Sequence, residues 1–122
     1  MNKRPGYISV KDYLEGEKDS AVKHEYTNGE VWAMTGTSDI HNTIAGNVFA
    51  ALLLAARANN CRAYISDMKI RVGDATFYYP DVVFTCEQDS DSYFKTMPCI
   101  VVEVVSRSTA RIDQNEKRYA YQ

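Results

Sequence analysis

At 122 residues, 45 % of them apolar, the chain has material for one folded, soluble domain with a modest core. A net charge of −2 and a pI near 5.6 give no global pull toward DNA, RNA or an anionic membrane. A nucleic-acid enzyme working through a local basic patch or through metal ions stays compatible with that balance. Cys61, Cys86 and Cys99 are far apart and form no CxxC pair, which argues against structural zinc. Their odd number argues against a secreted disulfide scaffold. Cys86 and Cys99 are expected as reduced, small core residues near strand ends. Residues 1–6 are polar with no apolar stretch behind them, and the longest apolar run falls well short of a membrane span. No leader and no membrane segment are expected, and the cytoplasm is the expected location.

In chain order, residues 1–8 read as a flexible lead-in, and residues 9–122 as a single domain. Ser9 is placed to cap a helix starting at Val10, with Asp12 in a capping-box position and Tyr13 and Leu14 as its apolar contacts. Gly16 should keep that helix short, with Lys18 to Ala21 as a polar continuation or turn. Asn28-Gly29 between two β-like runs predicts a hairpin with strands near 24–27 and 30–35. A long helix is expected over about 39–58, capped by Ser38 or Asp39. Ile40, Ile44, Val48, Leu52 and Ala55 follow the helical period there. Its broad apolar middle predicts a mostly buried helix. Strands follow at 61–65, 68–72, 76–79 and 81–86, with Gly73-Asp74 as a hairpin turn. Ser92-Tyr93-Phe94 reads as a helical turn before Pro98, then comes a strand over 99–105. A last helix is expected from about Ala110 to Tyr121. It has no stop signal before Gln122, as if the domain were truncated and lacked C-terminal strands.

Two stretches organise this pattern. Tyr78-Tyr79-Pro80-Asp81-Val82-Val83-Phe84 and Ile100-Val101-Val102-Glu103-Val104-Val105 are β-branched, nearly apolar runs, each with one acid. A carboxylate in such a strand is costly unless something pairs with it. A shared cation at a sheet rim would satisfy both Asp81 and Glu103. With the Val104 backbone carbonyl they would form the half-cage of oxygen ligands that magnesium takes. The plainer alternative pairs them with Arg71, Lys69 or Arg107. Lys117, four residues after Asp113, is either surface support for its helix or a group that folds back to orient a water or stabilise a phosphate. Glu30, His41 and Asp67 are surface, capping and turn residues by default, and site residues if their elements reach the same rim. Lys69, Arg71 and Arg107 would touch phosphates if they shared a face.

Pro80-Asp81, then Glu103-Val104-Val105 after 21 intervening residues (82–102), resembles the PD-(D/E)XK nuclease core. More specific are His24-Glu25-Tyr26-Thr27-Asn28-Gly29-Glu30, the run from Ser38 to Gly46, Ile65-Ser66-Asp67-Met68-Lys69, and Val102 to Ser106 with Ser108-Thr109. Together these resemble the Uma-two family of restriction-endonuclease-like proteins, expanded in cyanobacteria, over nearly all of residues 9–122. The resemblance implies an α/β (α+β) restriction-endonuclease-like core, a mixed sheet flanked by helices. It implies a metal-dependent DNA endonuclease using Mg²⁺ or Mn²⁺ and no small organic cofactor. Asp81 and Glu103 would hold the metal and Glu30 would be a further acid. His41 would be a further polar group of the site, while Asp67, Lys69, Arg107 and Asp113 are, from the residues themselves, candidate substrate-contacting or supporting groups. Val105 stands where the usual lysine would be, and Lys117 matches the family's lysine on the following helix. The resemblance also implies a homodimer acting on DNA. A non-catalytic nucleic-acid-binding or protein-interaction module on the same fold is the alternative.

Overall fold

The computed structural model describes residues 6–34, 36–88 and 90–105. Helix α1 (Val10–Asp19) begins where predicted, with the Ser9 hydroxyl accepting the Asp12 N–H at 3.1 Å. It runs past Gly16, beside which a side chain would meet open space. The glycine therefore costs helix propensity and no packing. Tyr13 points inward from α1 onto a hairpin formed by β1 (His24–Thr27) and β2 (Glu30–Ala33). The turn between them needs positive φ at both Asn28 and Gly29, which is why this dipeptide closes it. The Tyr7 ring also lies over Gly29 where any Cβ would stand.

β1 pairs in turn with β5 (Thr76–Tyr78), β5 with β4 (Lys69–Val72), and β4 with β7 (Phe94–Lys95). The pairing is antiparallel except for β4–β7, so this five-stranded sheet, ordered β2-β1-β5-β4-β7, is mixed. The helical turn predicted around Phe94 is instead strand β7. Its parallel pairing to β4 supplies hydrogen bonds that local sequence does not reveal. Between α1 and this sheet lies an aromatic core. Tyr13 stacks on Tyr26 with ring centroids 4.8 Å apart, and Phe77 lies 5.3 Å from Tyr13, 6.0 Å from Tyr26 and 5.7 Å from Phe94. Both buried tyrosines satisfy their hydroxyls on backbone carbonyls, Tyr13 on His24 at 2.5 Å and Tyr26 on Ile8 at 2.7 Å.

The remaining strands form an antiparallel ladder, β3 (Arg62–Ile65), β6 (Val82–Thr85) and β8 (Ile100–Val102), with β6 in the middle. Helix α2 (Asp39–Ala58) lies on it, capped by the Ser38 hydroxyl on the His41 N–H. Its bounds match expectation and its burial does not. Only Ala45 and Ala56 are fully covered, while Ile40 and Leu54 are 70 % and 71 % exposed. One face packs on β3 and β6, and the other is open. By length and composition α2 could also cross a bilayer; its seat on the ladder explains the apolar composition of one side only.

The cysteine expectation is corrected as well. Arg62 pairs with Thr85, so Cys61 and Cys86 are the next cross-strand neighbours, and they form a disulfide. Cys99 is free and exposed, not a core residue.

Candidate functional site

Glu103 and Asp81 stand at the same end of one ladder because β6 and β8 pair. Val82 stands opposite Val102, so the register carried one residue further sets Asp81 opposite Glu103 at the same end of the ladder. Directly opposed residues of an antiparallel pair project to the same face. Asp81 is half-buried. Its Oδ2 accepts the Val104 N–H at 2.6 Å and lies 3.3 Å from His41 Nε2. The Ser38 cap brings His41 here, fixing the first turn of α2 against the strand end. The third side of Asp81 is the loop after β3. Ser66, held at φ 57, donates its N–H to the Asp81 carbonyl at 3.0 Å. A serine with positive φ is an unfavourable backbone state that its surroundings must hold.

A cleft of about 300 Å³ opens on this corner, lined by Ala21, Val22, Lys23, Met34, Tyr79 and Asp81 among others. Lys23 is the cation at its mouth. It pairs with Asp67 at 3.0 Å, which leaves the Asp67 carboxylate on the surface. Glu30 stands at the other end of β2, beside the Asn28-Gly29 turn, roughly 13 Å along the strand from Met34. Lys69 is buried rather than displayed, with Nζ 3.5 Å from the Tyr79 hydroxyl. Burial pulls its pKa below the ordinary lysine value. Arg71 bonds the carbonyls of Gly73 and Asp74 and lies over Phe77. Lys69 and Arg71 therefore do not form a basic phosphate-binding face. Arg107, Asp113 and Lys117 lie outside the described residues.

Sequence reading missed the group that anchors this corner. Glu17 belongs to the stretch beyond Gly16 and is nevertheless buried, its side chain 4 % exposed. It accepts the Tyr79 hydroxyl at 2.6 Å and the His24 N–H at 3.1 Å, and it meets His24 Nδ1 at 2.7 Å. Glu25 accepts the Tyr79 N–H at 2.9 Å. Both ends of Tyr79 are thus held two residues before Asp81. Burial first, and then the bond to Glu17, push the Tyr79 phenol well above its usual pKa, so it stays a proton donor to Glu17. The one available signal was spacing: Glu17 stands four residues after Tyr13, on the same side of α1. Glu17→Ala should therefore cost about 2–3 kcal/mol by stranding these buried donors. Urea unfolding measures it, and a loss below about 0.5 kcal/mol would show that the network contributes nothing.

The donors at the Asp81 corner suit a hard cation. The register carried one residue past the ladder puts the acids Asp81 and Glu103 at its end, and Asp81 Oδ1 has no hydrogen-bond partner among the described residues. The same residues contain no group of three His, Cys, Asp or Glu that could hold a metal ion. What they offer is a partial set, to be completed by water or by other groups.

Helices flanking a mixed sheet, with an acid at each of two paired strand ends, define a restriction-endonuclease-like α/β core. A putative nuclease belonging to DUF820 from Anabaena variabilis, known from a crystal structure, shares this fold with a TM-score of 0.66 at 15 % identity; the match covers 93 % of this chain and 64 % of that one. The chain belongs to the Uma2 family, described as "Putative restriction endonuclease", whose model matches residues 10–122. Two Synechocystis relatives, uncharacterized proteins slr1290 and sll1609, are 34 % and 29 % identical over 93 % and 90 % of this chain. The chain spans 62 % and 65 % of their lengths.

Proposed function

We propose that this chain is a non-catalytic nuclease-fold module that engages nucleic acid at the Asp81 cleft. The observation that carries this reading is the condition of Asp81. Its Oδ2 serves the fold, holding the Val104 N–H and standing against His41. Lys23 at the cleft mouth is half-exposed and can exchange Asp67 for a phosphate oxygen. With a net charge of −2, such binding is local and sensitive to salt.

A second reading is a Mg²⁺- or Mn²⁺-dependent endodeoxyribonuclease, supported by the register that sets Asp81 opposite Glu103. Asp81, Glu103 and the Val104 carbonyl would hold the ion. Bound there, it would polarise a phosphodiester oxygen and lower the pKa of a water. Lys117 would orient that water or stabilise charge on the phosphate. One experiment separates the two readings: supercoiled plasmid with Mg²⁺, Mn²⁺ or EDTA, alongside anisotropy of a labelled duplex across a salt series. Salt-sensitive binding with intact plasmid supports the binding module. Nicking that needs metal and disappears with Lys117→Met replaces it with the hydrolase. Neither binding nor nicking sinks both.

A further inference from the structure

The face of the β1–β2 hairpin away from α1 carries a tryptophan. Tyr26 and Val31 stand opposite each other and pack on the α1 side, in the cluster of Tyr13 and Phe77. Strand alternation gives the next opposed pair, Glu25 and Trp32, to the other face. Trp32 is 46 % exposed there and is the chain's one tryptophan. Met34, two residues on and about 7 Å along the backbone, already lines the Asp81 cleft. The Met34 N–H bonds the Lys23 carbonyl at 2.8 Å, so the pairing runs past the strand ends and brings Lys23 to the same cleft. An open indole and an ammonium therefore stand at neighbouring positions of one hairpin. Glu25, the acid beside them, is committed to the Tyr79 N–H at 2.9 Å. A lone exposed tryptophan is ordinary on a surface. One beside a cation at a cleft mouth supplies both parts of a single-strand platform, an aromatic for a base and a charge for a phosphate.

We infer that the nucleic acid taken at this cleft is an unpaired strand, with one base stacked on Trp32 and an adjacent phosphate replacing Asp67 at Lys23. The inference rests on the nucleic-acid reading of the cleft and narrows it. Inside a duplex the faces of each base are covered by its neighbours, so a surface indole has nothing to stack on. In a single strand every base offers a free face. The cleft agrees in size. At about 300 Å³ it is of the size that holds one small-molecule-sized group, such as a nucleotide, and it cannot admit a double helix. Its apolar walls include Met34 and Val22, and Val22 is 48 % exposed. Charge argues the same way. Among the described residues that line the cleft, Lys23 is the one cation. One neutralised phosphate on a single strand makes affinity fall about fivefold for each tenfold rise in salt. A duplex held through phosphates alone gains little from one lysine, whereas a strand that also stacks has a second source of affinity.

The test uses the full chain in EDTA and follows the emission of Trp32, the sole tryptophan. A thymidine oligonucleotide of about ten residues should quench it saturably, with the shallow salt dependence of one phosphate contact. An abasic strand of the same length has the same phosphates and no bases. That strand and a duplex of equal length should bind about tenfold more weakly or worse, without quenching. Trp32→Ala should lose about tenfold in affinity for the thymidine strand, read by anisotropy of a labelled copy, and Trp32→Phe should keep most of it. Circular dichroism should be unchanged in both variants, because the side chain is exposed. Abasic or duplex DNA bound as tightly as the thymidine strand would overturn the inference and leave the nucleic-acid reading of the cleft standing. So would Trp32→Ala binding the thymidine strand like wild type. Absence of binding to all three would sink the inference and that reading together.

Discussion

On the metal-dependent reading, Asp81→Asn is expected to remove divalent-metal affinity from the Asp81–Glu103 corner while leaving the fold nearly untouched. Asparagine keeps a carbonyl oxygen where Asp81 Oδ2 accepts the Val104 N–H, so the strand end retains its 2.6 Å bond. What disappears is the negative charge. Groups that merely support a metal's ligands cost 10–100-fold when changed, so loss of a ligand should exceed about 100-fold in affinity. Titration calorimetry with Mn²⁺ reads the affinity, and urea unfolding should move by less than about 1 kcal/mol. Asp81→Ala should lose the same affinity and also destabilise the protein, because it strands the Val104 amide. Equal metal affinity in wild type and Asp81→Asn would remove the corner from any metal-dependent reading. Glu103→Gln serves as the companion measurement from the opposite side of the register.

How much of this site was legible in the sequence depends on whether each signal was local. The Ser9 and Ser38 caps and the Asn28-Gly29 turn act within a few residues, and the elements fall where these signals put them. Asp81 and Glu103 stood out in sequence as two acids in apolar strands, and the β6–β8 register places both at one end of the same ladder. What sequence could not disclose was tertiary. Periodicity finds the apolar side of α2 but not what covers it, so a helix expected to be buried has an open face. The Cys61–Cys86 disulfide follows from a cross-strand register between residues 25 apart in sequence. Glu17 lay in a polar stretch and proves to be a buried anchor, because its partners, His24 and Tyr79, arrive from β1 and from the segment just after β5. Lys69 looked like a basic residue of a half-exposed strand. Its burial beside Tyr79 moves it from a surface that could meet phosphate to the interior behind Asp81.

Phe77→Ala should be the most destabilising single change among the described residues. Phe77 is completely buried between α1 and the five-stranded sheet, with three aromatic rings within 6.0 Å of its own. Truncation removes the transfer free energy of the ring and leaves a cavity whose walls are stiff aromatic side chains with little freedom to collapse. Phenylalanine-to-alanine changes in such sites cost about 3–5 kcal/mol, a large part of the roughly 5–15 kcal/mol that a domain holds in reserve. Thermal unfolding should fall by on the order of 10 °C. Tyr26→Phe, at the neighbouring fully buried position, separates packing from polarity. It keeps the ring and loses the hydroxyl with its bond to the Ile8 carbonyl, and should cost about 1–2 kcal/mol including the stranded acceptor. The consequence reaches the site through the chain itself, since β5 carries Phe77 and leads directly into Tyr79, Pro80 and Asp81. Loss of the ring therefore loosens the strand whose end is held by Glu17 and Glu25, and amide exchange at Tyr79 should accelerate more than exchange at Val83 on the separate β3-β6-β8 ladder. Equal acceleration at both amides would mean that the two ladders unfold as one unit and that the aromatic core does not govern the Asp81 corner locally.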